Sequence, residues 1–102
     1  MLSNAALLHD LGISENYKGF YYILSALDLI QEKPERLLLV TKWLYPEIAK
    51  RHHTSSACVE RDMRSVIQSA WKNYPERIER LARQDLSAPP TVSCLLGWLA
   101  HV

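Results

Sequence analysis

A chain of 102 residues with net charge +1, 48% hydrophobic and 23% charged side chains has the make-up of one ordinary globular domain. Folding should bury roughly 60–70% of its extended-chain surface, so no disulfide or metal is needed to hold a core. Cys58 and Cys94 form no CxxC pair, MLSNAALLHDLG has no basic leader, and no apolar run, Leu37–Val40 included, approaches a membrane span; a cytoplasmic chain, off the membrane and without cofactors, is expected.

Strand signals are weak, whereas helix punctuation is dense. Ser3 is placed to cap a short first helix that ends at Gly12. Ser14 is placed to cap a second, from about Tyr17 through Phe20, Ile23, Leu24, Leu27 and Ile30, ending before Pro34. Pro34 opens a third with Leu37, Leu38, Thr41 and Leu44 inward, and Pro46 a short fourth to about His52. Thr54 or Ser55 caps a fifth running to about Lys72, Pro75 opens a sixth, PERIERLARQDL, and Thr91 caps a seventh, VSCLLGWLAHV. Seven short helices predict an all-α, compact orthogonal bundle.

The stretch IAKRHHTSSACVERDMRSVI joins the fourth helix to the fifth. At 100° per residue, Val59, Met63, Val66, Ile67 and Ala70 fall on one arc and should face the core. Ala57, Arg61, Arg64, Ser65 and Gln68 fall opposite, flanked by Cys58 and Glu60. Ile48 and Ala49 precede Val59 at the spacing by which a helix-turn-helix packs its two helices together. The segment is therefore either a plain packing corner or a helix-turn-helix that offers its second helix to DNA.

On the DNA reading, arginine chelates guanine O6 and N7, and Glu60 accepts from cytosine N4. The hydroxyls of Thr54, Ser55 and Ser56, with Lys50, suit phosphates. Between Lys42 and Lys72 six basic residues face three acidic ones, a local excess that suits an anionic partner and equally a solvated face. His53 stands in the turn where glycine is usual.

LYPEIAKRHHTSSACVERDMRSVIQSAW resembles the C-terminal effector domain of the stage-zero sporulation response regulator of endospore-forming Firmicutes. The likeness extends through LLHDLGISENYKGFYYILSAL and returns weakly in PTVSCLLGWLA. The resemblance implies an all-helical transcription regulator that binds tandem short boxes of the TGTCGAA kind through Ser55–Trp71. It also implies head-to-tail pairing on DNA and a contact with an RNA polymerase sigma factor. Glu60, Arg61 and Arg64 match family residues at the DNA interface. Cys58 stands where the family has a guanine-reading arginine, and Lys72–Leu86 departs by being Arg- and Glu-rich. No receiver domain accompanies residues 1–102, which read as a single effector-type domain, either excised with an added start at Met1 or stand-alone.

Other features have plainer expected roles. His52 and His53 lack a third ligand for zinc, so helix C-capping or a phosphate contact is expected of them. Cys58 with either histidine lacks an oxyanion hole or orienting acid by spacing, so no enzyme is read here. Tyr17, Phe20, Tyr21 and Leu24 share a face and should be mostly core, leaving Tyr22 as the exposed ring. Trp43, Trp71 and Trp98 should be structural, and ERIERLAR a solvated face laced with i,i+3 and i,i+4 pairs. The alternative function, from another class, is a protein–protein interaction module on the same scaffold with weakened or lost DNA reading.

Overall fold

The computed structural model describes residues 3–102; Met1, the proposed added start, lies outside them. The described residues form six α-helices in succession: α1 (Asn4–Asp10), α2 (Lys18–Glu32), α3 (Tyr45–Arg51), α4 (Ser56–Asn73), α5 (Pro75–Ala82) and α6 (Val92–Ala100). The described residues contain no strand. The all-α orthogonal bundle expected from the sequence is what forms. Its Cα radius of gyration, 12.6 Å, is close to the roughly 13 Å of a compact chain of this length.

Short polar side chains start the helices where their hydroxyls meet otherwise unpaired N–H groups. Ser3 accepts from the Ala6 N–H, Ser55 from Cys58 and Thr91 from Cys94, at 3.1, 3.2 and 3.2 Å. Ser14 does not cap α2. Its hydroxyl accepts from the Asn16 N–H at 3.1 Å, closing a tight turn, and α2 begins at Lys18 with Tyr17 as an N-cap that makes no side-chain bond.

The third predicted helix is the largest departure. A 3-10 turn, Pro34–Leu37, leads into a π-turn, Val40–Leu44, so the 100° wheel does not apply between them. Leu44 is buried as expected, but Leu38 is 76% exposed and Thr41 also faces solvent. The buried residue is instead Arg36. Its Nη1 donates to the Leu29 carbonyl at 2.6 Å, and its Nη2 grips both carboxylate oxygens of Glu47 at 3.1 and 3.0 Å. The Leu29 carbonyl already accepts from the Lys33 N–H at 3.0 Å, so Arg36 adds a second, charge-assisted bond at the end of α2 while tying α3 to the same place.

The core centres on α2 and α4, with Ile23, Ile48, Met63, Ile67, Leu95 and Leu96 almost wholly enclosed. Helix α2 is covered on more than one side, which overturns the aromatic assignment. Tyr22 is buried against His52, while Tyr17 and Tyr21 are exposed. Trp43 is likewise exposed, unlike the partly buried Trp71 and Trp98. Gly19 allows the closest approach of α2 to α4: a Cβ there would strike the Asp62 carbonyl and the Val66 methyls.

Helix α5 ends at Ala82, short of the predicted Leu86, because Arg83 turns left-handed (φ 59°). The ion pairs of the described residues all lie outside α5, so the expected lacing of ERIERLAR is not formed. Glu79 instead accepts from the Leu86 N–H at 2.8 Å, and Arg77 lies over the Tyr74 ring at 4.1 Å. No helix of the described residues is long and apolar enough to cross a membrane.

Candidate nucleic-acid interface

Helices α3 and α4 and the turn between them form the predicted helix-turn-helix. The turn is set by backbone hydrogen bonds. His52 closes α3, His53 adopts φ 55°, and the Thr54 N–H reaches back to the Ala49 carbonyl at 2.9 Å. The His53 N–H reaches Lys50 at 3.4 Å. These two bonds are a Schellman cap, which turns the chain sharply and commonly places glycine at the left-handed position. Ser55 then caps α4 from an extended backbone (φ −103°, ψ 157°).

Side chains fix the corner to the body. Ile48, Ala49, Val59 and Met63 are buried together, the small Ala49 standing where the two helices meet. His52 lies beneath the turn: its Nε2 is 2.7 Å from the buried Ser25 hydroxyl, and its ring meets Tyr22 edge-on at 5.0 Å. Burial, then the Arg51 charge, then His53 push its pKa below the ordinary imidazole value of 6.5. His52 is therefore a neutral strut between α2 and α3.

The solvent face of α4 carries the expected set. Ala57, Arg61, Arg64, Ser65 and Gln68 are exposed, and Cys58 and Glu60 are half-buried on its flanks. Lys50 is exposed in the last turn of α3, Ser55 is exposed at the N-cap, and Thr54 and Ser56 are half-buried at the start of α4. Arg64 pairs with Glu60 at 3.2 Å, one helical turn apart. Arg61 lies 3.6 Å from Asp62 and donates weakly to the Cys58 sulfur, also at 3.6 Å. Hydrogen bonds from Ser55 and then Thr54 draw the Cys58 thiol pKa below its usual value; burial opposes them, and the Arg61 charge adds a lesser lowering. Glu60 also lies close enough to Tyr45 to raise that phenol, after burial, which is the larger cause.

Chemically, the face offers two guanidinium forks, one carboxylate acceptor and a row of small side chains that permit close approach. The expected C-cap role of His52 is borne out, but sequence reasoning missed the parts that hold the face: the Ser25–His52 bond, Gly19 and the Arg36–Glu47 pair. Gly19 alone had a legible signal, since a glycine inside an apolar helical run often marks close backbone approach. The described residues hold no cluster of three or more His, Cys, Asp or Glu side chains placed for a metal.

Residues 5–102 match the family model described as "Sporulation initiation factor Spo0A C terminal". The chain belongs to that family of DNA-binding, transcription-regulating effector domains of the sporulation response regulator.

Proposed function

We propose that this member of the Spo0A C-terminal family, as a single effector-type domain, inserts the start of α4 into the major groove and reads short tandem boxes of the TGTCGAA kind. Arg61 and Arg64 act as donors to bases or phosphates, and Glu60 as an acceptor. Lys50 and the hydroxyls of Thr54, Ser55 and Ser56 hold the backbone, while Ala57, Ser65 and Gln68 line the approach. The observation that carries the reading is the polar face from Ala57 to Gln68, exposed on a helix whose other face is packed onto α2 and α3. Head-to-tail pairing on tandem boxes and a sigma-factor contact through Lys72–Leu86 complete it. The Arg- and Glu-rich α5 would make that contact with chemistry of its own.

Cys58 sets the specificity of this chain apart. A bidentate arginine contact to guanine is worth roughly 1–3 kcal/mol of discrimination, and a thiol cannot make it. Wild-type protein is expected to tolerate all four bases at the matching box position, and Cys58→Arg to restore a guanine preference there. Binding of both proteins to the four duplexes, across a salt series, tests this. Affinity should fall steeply with salt. A wild type that demands guanine as strictly as Cys58→Arg refutes the specificity claim. Absence of saturable binding at low salt supports instead an interaction module, the reading favoured by the exposed Leu38, Leu39 and Trp43.

A further inference from the structure

Beside α4 lies a second set of polar groups, contributed partly by a helix whose sequence carries no DNA-binding signal. Lys18 and Tyr21, on the first turn of α2, and His53 and Thr54, in the turn before α4, line one open depression of about 400 Å³. That is more than ten times the roughly 30 Å³ share of one water. Its floor is the Tyr22–His52 ring pair, already fixed by the Ser25 hydrogen bond. Lys18, Tyr21 and His53 are exposed, and Thr54 is half-buried.

The charge balance favours an anion. None of the ion pairs among the described residues involves Lys18. Two acids of this side of the molecule have basic partners of their own: Glu15 pairs with His9 at 2.8 Å, and Asp62, which shares a neighbouring depression with Lys18, with Arg61 at 3.6 Å. Arg51, exposed at the end of α3, adds positive charge near the turn. Helix α2 begins without a side-chain cap, so its positive end is not covered by a hydroxyl.

We propose that this depression seats a phosphate of the DNA backbone alongside the groove entered by α4. Lys18 supplies the charge. The Tyr21 and Thr54 hydroxyls and the His53 imidazole supply hydrogen-bond donors. Phosphate contacts fix position and carry no base information, so this contact sets how far α4 enters the groove and does not select the box. The inference rests on the reading of α4 as the groove-entering helix.

Lys18→Ala, with Lys18→Gln as a second variant, is compared with wild type and with Lys33→Ala, whose residue lies about 22 Å away along α2. Each is titrated with a box-bearing and a scrambled duplex over a salt series, and each is melted to verify folding. Lys18→Ala should weaken both duplexes by the same several-fold factor and reduce the slope of log affinity against log salt by about 0.9, one phosphate's worth. Lys33→Ala should change neither. A wild type with a steep slope that Lys18→Ala leaves unaltered overturns this site but not the role of α4. Weakening confined to the box-bearing duplex also overturns it, because Lys18 would then be reading bases. A wild type that binds no duplex removes the reading of α4, and this site with it.

Discussion

The turn after α1 and the turn between α3 and α4 have the same backbone and different occupants. In the first, Gly12 is left-handed (φ 86°), and the Ile13 N–H returns to the Leu8 carbonyl at 2.9 Å. In the second, His53 is left-handed and the Thr54 N–H returns to Ala49, also at 2.9 Å. What separates them is the space outside the turn. A Cβ on Gly12 would collide with the edge of the Tyr74 ring, whereas His53 is exposed to solvent. A left-handed cap demands glycine only when a neighbour also takes the place of the side chain. Where it does not, the position can hold a functional group at the cost of some strain.

The sharpest way to break the comparison is at Gly12. Gly12→Ala adds left-handed strain of roughly 1–2 kcal/mol to an overpacking cost of roughly 1–3 kcal/mol. The expected loss is about 3 kcal/mol, enough to lower the melting temperature by more than 10 °C in a domain of this size. A loss of only about 1–2 kcal/mol, the strain by itself, would mean that the Tyr74 ring moves freely aside.

His52 tests what holds the second turn in place. His52→Phe keeps a ring against Tyr22 and leaves the buried Ser25 hydroxyl without its partner, an expected loss of about 1–3 kcal/mol. The pH dependence has a definite sign. Because the folded-state pKa lies below 6.5, folding favours the neutral ring. The wild-type advantage over His52→Phe should be complete above pH 6.5 and shrink as pH falls through the folded value. Denaturant melts of both proteins between pH 8 and pH 5 measure it, and an advantage that grows on acidification would contradict this arrangement.

The smallest effect sharpens the comparison. His53→Gly should relieve left-handed strain and raise stability by about 1 kcal/mol. It should also weaken duplex binding, since it removes a donor from the proposed phosphate seat. Thermal melts and a DNA titration on the same variant read both. Stability gained without any loss of binding would confine His53 to the turn.

The contrast between these residues and Pro34–Leu44 explains what could be read from the sequence. Hydroxyl caps at Ser3, Ser55 and Thr91, and the two faces of α4, follow from local rules, because a regular helix repeats the same geometry at each turn. The solvent face of α4 was therefore legible residue by residue, as was the anomaly of His53. Leu38 and Thr41 were misassigned because the backbone there changes from a 3-10 to a π-turn, and the burial of Arg36 depends on partners seven and eleven residues away. Tyr22 was misassigned because a helix touched on several sides has no single inner arc. Ser25 and His52 meet across 27 residues, a distance over which no periodicity carries information.

That span bears on the entropy of assembly. The Arg36 clamp closes loops of seven and eleven residues, whereas the Ser25–His52 bond closes one of 27. Loop-closure cost grows with the logarithm of length, so the Arg36–Glu47 closure by itself costs about 0.8 kcal/mol less than the Ser25–His52 closure made from an open chain. With the clamp closed, much of the chain between Ser25 and His52 is already fixed, and the effective loop left for the histidine is far shorter. The least regular stretch of backbone thereby lowers the entropic cost of seating the corner between α3 and α4.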